Sequence, residues 1–247
     1  NTNEQIKLLD ITGISEISKI KVKNDFIAIG STVTINELIE NKVIFKYFPA
    51  LISAGREVGS KQIRNIATIG GNIGNASPAG DIIPPLYIYG AKLMLSSKSG
   101  EREVRINDFF LAPGSTILKK NEMIKEIILP KNKKNREIKI FSAFKKIGQR
   151  KALTISKVNS AIMITTQKGI IKDIKIAFGA VAPTVIFAHQ TENELKNKKL
   201  SKQLIISRSS DILSQIRPIG DIRSNVYYRK ESAKALFIEI LSEFLHL

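Results

Sequence analysis

Residues Ala67, Thr68, Ile69, Gly70, Gly71 and Asn72 read ATIGGN, and Asn75, Ser77 and Asp81 follow within NASPAGD. Two adjacent glycines admit positive φ and let backbone N–H groups approach a ligand with no Cβ in the way. Consecutive N–H groups of that kind form a concave anion site, so a phosphate or pyrophosphate is the natural guest. The spacing is not that of a Walker loop, since GxxxxGK(S/T) is absent. Nor is it the GxGxxG fingerprint, because Gly70, Gly71 and Gly74 fall at other intervals and Pro84 and Pro85 argue against a long following helix. Asn72, Asn75, Ser77 and Asp81 can hydrogen-bond hydroxyls or amide edges of something larger than phosphate. The same residues also read as a turn, GGN, followed by a helix start capped by Ser77, and spacing alone leaves both readings open.

Composition narrows what else the chain can do. It has no cysteine, which excludes disulfides, thiolate metal sites and cysteine nucleophiles, and its two histidines, His189 and His246, leave little for imidazole chemistry. Redox or metal chemistry must then come from a bound cofactor or a partner. The formal charge of +17 would suit nucleic acid. The basic residues are scattered from Lys7 to Lys234, however, with local clusters only at Lys131 to Arg136 and Lys196 to Lys202. No aromatic platform lies between them and there is no Trp, so a solvated cationic surface, with or without an acidic protein partner, is favoured over nucleic acid. No apolar run approaches the ~20 residues that cross a bilayer and no signal peptide opens the chain, so the expected location is the cytoplasm.

The 247 residues, 43% of them hydrophobic, suffice for one large domain or two modest ones. IKLLDITGIS reads as a strand running into a turn, and its start at Asn1 without Met leads us to expect a preceding segment. Phe26 to Ile29 alternates as a strand, and Thr34 with Glu37 has the spacing of a capping box. Pro49, Ala50, Leu51, Ala54 and Val58 mark a second short helix before the glycines. Any helix at Pro84 and Pro85 should be short and finish at Gly90. KLMLSSKSGEREVRI reads as a hairpin turning at Ser99 and Gly100. A first domain should close near Pro130, ahead of the polar stretch KNKKNREIK. Beyond it come strands, a hairpin turn near Gln167 to Gly169, helical segments at Glu192 to Leu195 and Leu204 to Gln215, and a final amphipathic helix, an α+β arrangement.

These segments resemble a known family, the FAD-binding subunits of molybdenum-containing hydroxylases, the xanthine dehydrogenase and carbon monoxide dehydrogenase group. IRNIATIGGNIGNASPAGDIIPPL resembles that family's second flavin-binding loop almost position by position. LLDITGIS, IGSTVTINELIE, PALISAGREVGSKQIRN, NDFFLAPGSTIL, EIILP, FSAFKKIGQRKALTIS, FGAVAPTV and PIGDIRSNVYYRK resemble its further segments in order.

The resemblance implies an α+β chain with an FAD-binding domain of the p-cresol methylhydroxylase type at residues 1–135. A smaller C-terminal domain of the carbon monoxide dehydrogenase flavoprotein type would occupy 136–247. It implies FAD as cofactor, its pyrophosphate between two glycine-bearing loops, the first of which should lie upstream of IKLLDITGIS. Ala67, Thr68, Ile69, Gly70, Gly71 and Asn72 match the loop against the pyrophosphate and ribityl region. Asn75 and Asp81 match polar flavin contacts, Ile124 an apolar contact, and Lys145 a basic residue near the isoalloxazine ring; without the family, Asp81 reads as a helix cap and Lys145 as a surface lysine. No catalytic acid–base set and no metal ligands are implied in this chain. Substrate would be oxidised at a molybdenum cofactor in one partner subunit, electrons would cross [2Fe–2S] clusters in another, and the flavin would deliver them to NAD or a different acceptor. The competing expectation is a cationic binding module that keeps the fold without flavin.

Overall fold

The computed structural model describes residues 8–132, 137–150 and 153–246. Its first half is built on a five-stranded sheet. β1 (Ile20–Val22) pairs antiparallel with β2 (Phe26–Gly30). Between β2 and the next strand run six short helices: α1 (Ile35–Glu40), α2 (Lys42–Tyr47), α3 (Pro49–Glu57), α4 (Lys61–Ile66), α5 (Ile69–Gly74) and α6 (Ile83–Ile88). The hairpin of β3 (Lys92–Ser97) and β4 (Gly100–Arg105) follows, then the small pair β5 (Phe110–Ala112) and β6 (Ser115–Thr116), then β7 (Met123–Pro130). The order β1-β2-β7-β3-β4 places β7 at the centre, antiparallel to both neighbours.

Local chemistry explains most of these elements. Thr34 and Glu37 close the expected capping box, with Thr34 N–H donating to Glu37 Oε2 at 2.8 Å and Glu37 N–H donating to Thr34 Oγ1 at 3.1 Å. Pro49 opens α3, where a missing N–H costs nothing. α6 ends ahead of Gly90, whose φ of +62° suits glycine, as expected. The sequence suggests two helices before the glycine cluster, whereas four are present and the cluster itself is the fifth. Four of the five, α1, α2, α4 and α5, are six residues long, too short to show a 3.6-residue period, and side-chain caps from Asn41, Ser60 and Thr68 start α2, α4 and α5. The strand expected in IKLLDITGIS does not form among the described residues, where Leu8 and Leu9 are exposed and unpaired with any strand.

The second half is a four-stranded antiparallel sheet in the order β11-β10-β9-β8. β8 (Ile138–Ile147), β9 (Val158–Gln167) and β10 (Ile170–Gly179) are long, and β11 (Ile186–Phe187) is short. Lys168 and Gly169, both at positive φ, turn the β9–β10 hairpin where expected. α7 (His189–Leu195), α8 (Lys202–Ser209), α9 (Ile212–Gln215) and the 20-residue α10 (Val226–Leu245) complete the chain.

The sheet is covered on both faces. Ile162, Ile164, Ile174 and Ile176 pack with Leu236, Phe237 and Ile240 of α10, while Phe144, Ala161, Met163 and Ala177 join the core of the first half. That two-sided burial is why β9 is buried along nearly its whole length and its residues 161–164 are apolar without alternation. Tyr89 crosses the same seam: its hydroxyl accepts from Ala50 N–H at 3.0 Å and lies 2.6 Å from Ser142 Oγ. Burial raises the Tyr89 pKa above its ordinary value, so it stays a neutral hydrogen-bonding group. The boundary expected between residues 135 and 136 lies outside the described residues. Among the described residues, no helix is long and apolar enough to cross a membrane.

Candidate flavin site

The glycine cluster forms the start of α5, and its amides are used within the chain. Ile69 N–H donates to Val33 O at 3.0 Å, Gly70 N–H to Ser31 O at 2.8 Å, and Gly71 N–H to Thr68 Oγ1 at 3.0 Å. Asn72 N–H donates to Thr68 O at 3.0 Å. The row of free amides expected for an anion is therefore not present, because the Thr68 cap and the loop after β2 take those donors. The glycines serve shape instead. A Cβ on Gly70 would stand 2.6 Å from Ser31 Cβ and 2.7 Å from Ser31 O, so only glycine lets the two segments touch. Gly71 is exposed, and a Cβ there would meet only Thr68 Oγ1 at 3.0 Å, which leaves a clear surface.

Next to this cluster is a cavity of about 620 Å³, within the ~300–1,000 Å³ usual for ligand pockets. One wall is the segment from Asn72 to Asp81; the other comes from the second half, including Ser156, Ala180 and Arg229. Left-handed backbone at two alanines shapes both walls. Ala76 has φ +48° and its carbonyl accepts from Gly114 N–H at 3.0 Å; Ala180 has φ +61°. Such a conformation costs non-glycine residues on the order of 1 kcal/mol and persists where neighbours fix it. Ala180 is fixed from both sides, donating N–H to Pro78 O at 2.8 Å and accepting from Arg229 Nη1 at 2.8 Å. Arg229 also donates to Lys157 O at 2.6 Å and to Asp221 Oδ1 at 2.8 Å. Burial works against the charge of Asp221, yet hydrogen bonds from Arg229 and from the Arg223 and Ser224 amides hold its pKa below the ordinary carboxylate value.

Asp81 lies in this wall and is buried. Its Oδ1 accepts from Ser156 Oγ at 2.6 Å and Asn159 Nδ2 at 2.9 Å, and its Oδ2 accepts from Lys146 Nζ at 2.8 Å. All three partners belong to the second half, so Asp81 is no helix cap; α6 has no side-chain cap at all. Of about four acceptor positions on a carboxylate, one remains. Asn72 Oδ1 is buried with no hydrogen-bond partner among the described residues, in the cavity's lining. A buried acceptor left unpaired costs roughly 1–3 kcal/mol, and a ligand donor would recover it. An orphaned amide oxygen, Asn75 and a carboxylate with a free acceptor position fit the hydroxyl and N–H donors of a flavin and its ribityl chain.

Asn72, Asn75 and Asp81 are thus brought to one cavity. Ala67, Thr68, Ile69, Gly70 and Gly71 precede them in the chain, Ala67 closing α4 and Thr68 capping α5, and none of the five is among the residues lining the cavity. Ile124 is buried in β7, its Cδ1 4.0 Å from where a Cβ on Gly74 would stand. Lys145 is not in the wall. Strand alternation points it at α10, where Nζ pairs with Glu239 at 2.8 Å and Glu243 at 3.1 Å. Burial opposes its charge, but the two glutamates outweigh that and raise its pKa. Sequence reasoning missed Lys146, Ser156, Asn159 and Arg229. The signals were available in part: Asn159 and Ser160 interrupt an apolar strand, and alternation sends Lys146 to the opposite face from Lys145. Among the described residues, no group of three or more His, Cys, Asp or Glu could hold a metal ion.

Two α+β halves with a largely apolar cavity between them, into whose lining Asn72, Asn75, Asp81 and Arg229 are gathered, define a cofactor-binding protein. Residues 2–132 match the model of the FAD-binding domain in molybdopterin dehydrogenase, and residues 142–244 match the carbon monoxide dehydrogenase flavoprotein C-terminal domain. The chain belongs to this family, the FAD-binding subunits of molybdenum-containing dehydrogenases and hydroxylases. It is 32% identical to the glyceraldehyde dehydrogenase medium chain of Sulfolobus acidocaldarius, over 96% of this chain and 82% of that one. Identity to the xanthine dehydrogenase FAD-binding subunit of Escherichia coli O157:H7 is 31%, over 96% and 80%. The solved carbon monoxide dehydrogenase of Hydrogenophaga pseudoflava superposes with a TM-score of 0.86 at 26% identity, covering 92% of this chain and 77% of that one. Quinoline 2-oxidoreductase from Pseudomonas putida shares the fold, with a TM-score of 0.88 at 22% identity over 95% and 80%. The relatives are flavoprotein subunits of oxidoreductases, and FAD is the cofactor of the family.

Proposed function

We propose that this chain is the cytoplasmic electron-transfer subunit of such a complex. It would take electrons from the iron–sulfur clusters of one partner, fed by a molybdenum cofactor in another, and pass them to NAD or a different acceptor. When bound, FAD supplies the junction between single-electron carriers and a two-electron acceptor. The observation that carries the reading is the cavity between the halves, with Asn72, Asn75 and Asp81 together in its lining. Asn72 Oδ1 and the remaining acceptor position of Asp81 would take flavin or ribityl donors, Gly71 would keep the approach clear, and the wall at Ala180 would exclude water from one side. The same reading divides the chain between residues 135 and 136, in the polar stretch ahead of β8.

Anaerobic addition of NADH to the intact complex tests it. Bleaching of the flavin band followed by appearance of reduced iron–sulfur signals supports both the relay and NAD. A flavin reduced by the complex's own substrate but inert to NADH assigns another acceptor. A complex without flavin, whose chain retains nucleic acid in a salt-dependent way, contradicts the reading and favours the cationic module.

A further inference from the structure

Lys146 is nearly sealed, its side chain 4% exposed, in a protein whose other lysines mostly face water. Its ammonium has three donors, and all three are placed: Asp81 Oδ2 at 2.8 Å, Glu57 O at 2.8 Å and Thr154 O at 3.2 Å. The Glu57 carboxylate lies further off, at 3.7 Å. The partners come from three separate segments, the end of α3, the segment leading into α6, and the connection between β8 and β9. Asp81 and Thr154 line the cavity, and Glu57 immediately precedes Val58 and Gly59, which also line it. Lys146 itself is not in that lining. It borders a separate cavity of about 480 Å³ behind the wall, so any effect on a ligand in the first cavity passes through Asp81.

We propose that Lys146 is a positioning residue for the flavin, holding the Asp81 carboxylate in place and neutralising it as the flavin senses it. The proposal rests on the reading of Asp81 as a cofactor contact. Adding electrons to a flavin next to an uncompensated carboxylate is unfavourable, and the paired ammonium removes that penalty in a site where screening by water is weak. Lys146 then sets how much more tightly reduced than oxidised FAD is held. Loss of the lysine uncovers a negative charge and lowers the reduction potential; loss of the carboxylate uncovers a positive charge and raises it. Loss of both returns it to near its original value.

The test is a cycle of Lys146→Met, Asp81→Asn and the double variant in the intact complex. FAD content, thermal stability and the midpoint potential of the bound flavin against reference dyes are measured for each. Lys146→Met should shift the ratio of affinities for reduced and oxidised FAD about tenfold toward oxidised, about 30 mV downward for a two-electron couple. Asp81→Asn should move it upward by a similar factor, the double variant should lie near the wild type, and Lys146→Arg should recover most of the loss. If Lys146→Met does not fold, the upward shift in Asp81→Asn and its cancellation in the double variant carry the test. Retained FAD with an unchanged potential in all variants, or singles that shift in the same direction, would overturn the role of Lys146 while leaving the flavin reading intact. Absence of FAD from the wild-type complex would instead remove the reading on which the proposal rests.

Discussion

Gly70 and Ser31 touch backbone to backbone: Gly70 N–H donates to Ser31 O at 2.8 Å, and a Cβ on Gly70 would fall 2.6 Å from Ser31 Cβ. The contact joins the helix that frames the cavity to the loop leaving β2. Gly70→Ala must displace main-chain atoms, at a cost of about 2–3 kcal/mol. The better helix propensity of alanine recovers only about 1 kcal/mol of it. A net loss of stability is therefore expected in thermal denaturation, whereas Gly71→Ala, with only Thr68 Oγ1 nearby, should be close to neutral.

Gly71→Val separates cofactor binding from folding. The position is exposed and a Cβ there meets only the Thr68 cap oxygen, at 3.0 Å, so the fold should accept the side chain with a small shift of that cap and a melting temperature close to that of flavin-free wild type. If Gly71 lies against the pyrophosphate, as the family resemblance implies, branched methyl groups there should release FAD. Undiminished flavin content in the purified variant would remove Gly71 from the site.

Lys145→Ala distinguishes the two adjacent lysines. Lys145 is paired with Glu239 and Glu243 of α10 and lies outside the cavity lining. Its removal should leave the flavin potential unchanged and cost at most about 1 kcal/mol, the usual scale for part-exposed ion pairs. A shifted potential would place Lys145 beside the isoalloxazine ring, as the family resemblance implies.

Acid should weaken the first half through Glu122. Hydrogen bonds from Arg102 and from the Lys119 amide lower its pKa from 4.5 to about 2. A carboxylate depressed in the folded state contributes stability that is complete above its unfolded value and is lost as pH falls through the folded one. Relative to Glu122→Gln, the wild type should keep a constant advantage above about pH 5 and lose it progressively between pH 4.5 and about 2. Denaturant midpoints at a series of pH values check this, and a pH-independent difference would show that Glu122 is not held this way.

Much of this fold was legible where the determining interaction is local. Thr34 with Glu37 announces a helix, Gly100 and Lys168–Gly169 announce hairpins, and Gly90 announces a stop, because each acts on residues within a turn of itself. α2 and α4 were hidden because six residues give no visible period, and β1 because three residues carry no alternation. The site was less legible than the fold. Spacing alone left Gly70 and Gly71 balanced between turn and ligand loop, and the family resemblance decided it. Even then the amides proved to be occupied, and the ammonium that reaches Asp81 belongs to Lys146, 65 residues along the chain, where only strand alternation distinguishes it from Lys145. Ser156 and Asn159 meet the same carboxylate from 75 and 78 residues away, a convergence that no local pattern encodes.

If FAD occupies the cavity between the two halves, as proposed, Asn72, with its buried Oδ1 unpaired among the described residues, is its most direct witness. The decisive measurement is an equilibrium titration of flavin-depleted protein with FAD, followed by flavin fluorescence, for wild type and Asn72→Leu. The account predicts stoichiometric binding by the wild type and about tenfold weaker binding by the variant, the worth of one hydrogen bond to a buried acceptor. Equal affinity in the two proteins, or no binding by the wild type, would contradict it.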